Sequence, residues 1–134
     1  MQYWLVKSEP GVYSWKQFEN DGVTGWEGVR NYQARNNLKS MKKGDWVLFY
    51  HSNQGTDIQG IARVHREFFQ DPTTEDTRWV SVELKKHKAF KRPVSLEQIK
   101  REPLLENIGL IRQSRLSVMP LTQVEFDTIL AMGN

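Results

Sequence analysis

Gly44-Asp45-Trp46-Val47-Leu48-Phe49-Tyr50 is the stretch on which the reading of the fold turns. The Gly-Asp pair breaks the chain, and five apolar side chains then follow in a row, bounded by polar residues. Trp46 to Tyr50 reads as a strand buried on both faces. Two further strands follow with no helix between them. Ile58 to Phe68 sets Ile58, Gly60, Ala62 and Val64 to one side, and Trp79 to Leu84 sets Val80, Val82 and Leu84 against Trp79, Ser81 and Glu83, the period-two pattern of a strand. Asp71-Pro72-Thr73-Thr74 is the loop joining them.

Working outward, Val29 to Met41 is helical by spacing, with Arg30, Ala34, Leu38 and Met41 on one face. Before it, Tyr3-Trp4-Leu5-Val6 reads as a first strand closed by Pro10-Gly11, and Ser14-Trp15-Lys16-Gln17 matches a capping box that opens a helix to about Glu19. Toward the C-terminus, Ser95-Leu96-Glu97-Gln98 and Thr122-Gln123-Val124-Glu125 match two more capping boxes. The second starts a helix carrying Phe126, Ile129 and Leu130 inward, and Arg115 to Met119 is a short extended piece before it. Because strands and helices do not alternate regularly, a doubly wound sheet is not expected. The expectation is an α+β fold, a curved or barrel-like mixed sheet with short flanking helices. No repeat, low-complexity tract or linker divides residues 1–134, which read as one domain.

Composition removes several classes of function. Hydrophobic residues make up 38% and charged ones 26%, a balance that folds rather than one that stays disordered. With no cysteine there is no disulfide framework, thiolate metal site or cysteine nucleophile. His51, His65 and His87 are widely separated, so neither metal nor cofactor is expected. No Gly-rich phosphate loop and no nucleophile elbow occurs. The N-terminus lacks a basic segment followed by an apolar one, and Trp46 to Tyr50, the longest apolar run, is too short for a bilayer. The expectation is a monomer without membrane contact, cytoplasmic in a bacterium, where association with the nucleoid stays open. Net charge is only +3, but Lys85-Lys86-His87-Lys88 with Lys91-Arg92 forms one basic cluster and Arg112 with Arg115 another. Five tryptophans in so short a chain suggest that some line a site, since a buried indole N–H needs a partner.

Polar side chains beside aromatics recur at strand ends and helix starts: Lys7-Ser8-Glu9-Pro10, Gly25-Trp26-Glu27-Gly28, Arg30-Asn31-Tyr32-Gln33, Tyr50-His51-Ser52 and Ser114-Arg115-Leu116-Ser117. Each also has a plain structural reading. Trp26, in what reads as a glycine-flanked loop, and Tyr50 could be core; Asn31 could be only a helix N-cap; His51 could be a satisfied structural histidine; Arg115 could be a surface charge.

Taken together, Tyr3 to Pro10, Trp26 to Asn36, Phe49 to Ser52, Gly60 to Ala62 and Arg115 to Val118 resemble the EVE domain of the thymocyte nuclear protein family and its bacterial relatives. The resemblance runs in order along nearly the whole chain. It implies a PUA-like pseudobarrel and recognition of modified bases, chiefly 5-methylcytosine and its oxidised forms in DNA, or a modified base in RNA. On that basis Trp26 is assigned as a stacking wall, with Tyr50 or Tyr32 as a second surface. Asn31, Ser8, His51 and Ser117 read the base edge. Lys7, Arg30 and Arg115 meet phosphate or a base carbonyl, while Lys85 to Arg92, Lys88 included, track the flanking backbone. Two rivals stand beside this reading. Related PUA-like ASCH domains include amidohydrolases of acylated cytidines that use Lys, Thr and Glu, and Lys7 with Glu9 could belong to such a set. A plain RNA-binding module without base preference is the other.

Overall fold

A computed structural model describes residues 1–134, and its sheet is assembled around two apolar strands. β1 (Tyr3–Ser8) and β3 (Trp46–His51) lie side by side in parallel, with Tyr3 opposite Trp46 and Ser8 opposite His51. Trp4, Leu5, Val6, Val47, Leu48, Phe49 and Tyr50 are all buried, as two-faced burial of continuous apolar runs requires. β4 (Asp57–Gln70) pairs antiparallel with β3, and β5 (Val80–Ser95) pairs antiparallel with β4. β6 (Val118–Leu121) covers the other side of β1, and β2 (Val23–Trp26) adds to the outer edge of β5. The order is β2-β5-β4-β3-β1-β6. No ladder joins β2 to β6, so the mixed sheet remains open.

Register shifts at four places between β4 and β5 bend this long hairpin. At one bend Gly60 lets an aromatic ring reach the sheet, for a Cβ there would stand 2.6 Å from both the Trp15 ring and the Lys88 carbonyl. Trp15 and Phe18 come from α1 (Trp15–Asp21). Phe18 stacks on Phe49 at 5.5 Å between centroids, and Trp15 packs edge-on against both. α2 (Tyr32–Ser40) buries Ala34 and Leu38 and lies against β5 and β6, across the open side. The short helices α3 (Leu96–Lys100) and α4 (Gly109–Arg112) precede β6, and α5 (Gln123–Gly133) packs on β5.

Several boundaries differ from the sequence reading. Asn31 accepts from the Ala34 N–H and starts α2 there, so Val29 and Arg30 are loop and Arg30 does not share the helix face. Trp26 ends an edge strand instead of sitting in a loop. β5 continues through Lys85-Lys86-His87-Lys88 as far as Ser95, because pairing with β4 supplies backbone partners that a charged run alone does not advertise. Ser14 accepts from the Gln17 N–H, whereas the full reciprocal capping box forms at Ser95 and Thr122. No helix is long and apolar enough to cross a membrane.

Candidate functional site

The two free edges of the sheet converge on one cavity. Thr24, Gly25 and Trp26 of β2 line one wall, and Ser117, just ahead of β6, lines another. Lys7 and Ser8 at the end of β1, with Glu9, Val12 and Tyr13 of the following loop, form the floor, and Glu27 to Asn31 complete the ring. The volume is about 820 Å³, within the roughly 300–1,000 Å³ of small-ligand pockets.

Trp26 is 8% exposed. Its ring meets Tyr13 at 6.2 Å and Phe49 at 5.6 Å, both edge-to-face, so the core grips the indole while the residue borders open space. Tyr13 is fixed in turn by donating to Asp21 at 2.9 Å, and burial raises its hydroxyl above the ordinary tyrosine range. Ser8 Oγ donates to the Tyr13 carbonyl at 2.6 Å, tying the β1 end to the loop. Lys7 Nζ donates to the Ser114 carbonyl at 2.7 Å, and burial lowers its pKa from the usual lysine value. Asn31 Oδ1 is committed to the helix cap at 2.9 Å, which leaves the amide Nδ2 as its donor toward a ligand.

The loop from Glu27 to Asn31 is held from behind by Asp71, whose side chain is fully buried. Asp71 accepts from Gly28 N–H at 2.8 Å, Arg30 Nη1 at 2.9 Å, Thr73 N–H at 2.7 Å and Thr73 Oγ1 at 2.6 Å. Burial alone would raise this carboxyl; the bonds from Thr73, Arg30 and Gly28 outweigh it and hold the pKa down to about 2. Gly28 takes φ of 82°, a left-handed turn that glycine adopts without a Cβ clash. Formal charges around the cavity balance, with Lys7 and Arg30 against Glu9 and Glu27. Such a lining suits a neutral, hydrogen-bonding ligand better than a phosphate group.

The structure thus brings Lys7, Ser8, Trp26, Arg30, Asn31 and Ser117 to one cavity. Other assigned residues lie elsewhere. Tyr50 is 3% exposed in the core and does not line the cavity. His51 Nε2 accepts from the Trp15 N–H at 3.0 Å and so anchors the start of α1. Tyr32 stacks on Trp79 at 5.2 Å, outside the lining. Arg115, Lys85 and Lys88 also lie outside it, with the two lysines paired opposite Arg63 and Ile61 on the β4–β5 ladder. Of the remaining tryptophans, Trp4 donates to buried Asp45 at 3.0 Å and belongs to the core. Sequence reasoning did not single out Val12, Tyr13 or Thr24, which a loop and an unforeseen edge strand carry inward. The one available signal was Tyr13, an aromatic just beyond the Pro10-Gly11 turn.

Comparison with known proteins places this geometry. A family model described as the EVE domain matches residues 2–132. Thymocyte nuclear protein 1 of Gallus gallus is 36% identical over 164 residues, covering 97% of this chain and 68% of the relative. A crystal structure of a protein from Agrobacterium tumefaciens is 42% identical with a TM-score of 0.98, covering 100% of this chain and 94% of that one. The human THYN1 protein, in complex with DNA containing 5-methylcytosine, is 32% identical with a TM-score of 0.92, covering 100% of this chain and 98% of that one. With its α+β fold and open six-stranded sheet, the chain belongs to the EVE domain family.

Proposed function

We propose that this protein is a non-catalytic reader that holds one modified nucleobase, of the 5-methylcytosine type, extruded from a DNA or RNA strand into the cavity. The observation that carries the reading is the lining itself: the Trp26 indole beside Ser8, Asn31 and Ser117, with no net formal charge. The similar human protein bound to 5-methylcytosine DNA supports it. Reading a nucleic acid also requires sharing its compartment, which is the cytoplasm in a cell without a nucleus.

Taking a base out of its stack costs a few kcal/mol. Stacking against an aromatic returns about 1–3 kcal/mol. Trp26 therefore offsets extrusion roughly, and the surplus comes from polar contacts at the base edge, to which Asn31 Nδ2 and the serine hydroxyls contribute. A buried methyl adds only about 0.8 kcal/mol, close to a fourfold preference.

Titration of matched methylated and unmethylated oligonucleotides tests the reading. Preference for the methylated strand is expected near fourfold, and a thousandfold preference with no polar group near the methyl would contradict this account of selectivity. Trp26→Ala is expected to lose most binding but also removes core packing, so Asn31→Asp provides the cleaner variant. Aspartate caps a helix as well as asparagine does, yet it replaces the Nδ2 donor with a charge. Unchanged melting with at least tenfold weaker binding is expected. Unchanged binding in both Trp26→Ala and Asn31→Asp would sink the site.

One observation favours an amidohydrolase as the second reading. Thr24 lines the same cavity as Lys7 and Glu9, although it lies far from them in sequence. Against it, Lys7 Nζ is engaged by the Ser114 carbonyl and Glu9 Oε1 accepts from Asn53 Nδ2 at 2.7 Å. Incubation with N4-acetylcytidine decides between them, since the reader releases no acetate.

A further inference from the structure

Beside the cavity, the outer face of α2 carries cations placed over aromatic rings. The Arg35 guanidinium sits 5.0 Å from the Tyr32 ring centroid, and Lys39 Nζ sits 5.6 Å from that of Phe68. Both rings are about half exposed, Tyr32 at 52% and Phe68 at 45%. The chain's ion pairs are Arg30–Asp71, Arg66–Glu83, Arg78–Asp76 and Arg101–Glu97, so neither Arg35 nor Lys39 faces a carboxylate. A ring orients a cation without cancelling its charge. Arg35 also donates to Asn36 Oδ1 at 2.8 Å and to the Arg78 carbonyl at 3.3 Å, neutral acceptors that fix the guanidinium without cancelling its charge, while Lys39 Nζ has only the Phe68 ring.

Their spacing gives the surface a direction. Asn31 at the cavity rim, Arg35 and Lys39 succeed one another at intervals of four residues along one helix face. Each interval is about 6 Å of helix. The ladder therefore leads stepwise away from the place where the base enters.

We propose that the α2 face bearing Arg35 and Lys39 is the track for the strand phosphates adjoining the bound base. Arg35 meets the phosphate nearer the cavity and Lys39 one further along, with half-exposed Phe68 beside Lys39 for sugar or base packing. Charge complementarity and continuity with the cavity both argue for this occupant. The inference rests on the base-reading function proposed above. It moves the backbone contact away from the Lys85–Arg92 run, which lies on β5 and contributes nothing to the cavity lining.

The experiment compares two probes, free 5-methyl-2′-deoxycytidine and a 12-nucleotide single strand with 5-methylcytosine at its centre. Wild-type protein is compared with Arg35→Glu/Lys39→Glu and with Lys85→Glu/Lys88→Glu. The α2 variant should bind the 12-mer at least tenfold more weakly and the nucleoside within twofold of wild type, and the β5 variant should match wild type on both. A loss below threefold on the 12-mer, an equal loss on both probes, or a larger loss in the β5 variant overturns the track. If wild type binds the 12-mer but not the nucleoside, the cavity reading fails instead, and the 12-mer comparison still decides the track.

Discussion

Asn31 and Asp71 show how single side chains set the shape of the cavity. Asn31 divides its amide between two tasks, the oxygen closing α2 and the nitrogen left for a ligand. The sequence left open whether Asn31 is a cap or a contact; its position allows both. Asp71 could not be foreseen as a participant, because it read as part of a turn and its partners Gly28 and Arg30 lie more than 40 residues away. Its consequence for stability can be worked through. A carboxyl held at about 2 when folded, against the ordinary aspartate value of 3.8, stabilises the protein above pH 4, and the contribution is lost as pH falls toward 2. The difference corresponds to about 2 kcal/mol. Asp71→Asn should therefore lower unfolding free energy by about that amount at pH 7, with the gap to wild type closing between pH 4 and pH 2. Denaturant titrations across that range measure it. A gap that stays constant with pH would show that the fold does not hold the Asp71 carboxyl below its ordinary value.

Elements that carry their own apolar signal were legible, and those that depend on a partner were not. β3 is written in Trp46 to Tyr50, and α2 in the spacing of Ala34, Leu38 and Met41. β2 has four residues, a glycine among them and only Trp26 buried, so nothing in Val23-Thr24-Gly25-Trp26 announces a strand until β5 offers its edge. That omission hid Thr24 and part of the cavity wall. His51 belongs to this scale as well, for it joins β3 to α1 by accepting from the Trp15 N–H. Burial lowers its pKa from 6.5, with Asp57 opposing. A histidine kept neutral in the fold stabilises it above pH 6.5, and that stability is lost as pH falls through the depressed folded value. Protonation would also remove the acceptor that the Trp15 N–H uses. His51→Ala should thus show a flatter loss of melting temperature than wild type between pH 7 and pH 5. Parallel pH profiles for the two proteins would assign the loss to other groups.

At the scale of the molecule, charge separates a pocket reader from a protein that merely coats a strand. Nineteen basic side chains stand against sixteen acidic ones, and much of the basic excess is dispersed along β5 away from the cavity lining. No extended positive groove is needed if affinity originates at one base. Each phosphate neutralised on a single strand contributes about −0.7 to the slope of log affinity against log salt. Arg35 and Lys39 account for about −1.4, since Arg30 is already paired with Asp71. A shallow slope near that value, together with dependence on the methylated base, is the behaviour expected of this architecture. A slope steeper than about −5 that ignores the central base would require many more cations than border the cavity and α2, and would identify a general single-strand binder. Isothermal titrations of the 12-mer from 50 to 300 mM salt separate the two, because stacking on Trp26 is insensitive to salt and backbone contact is not.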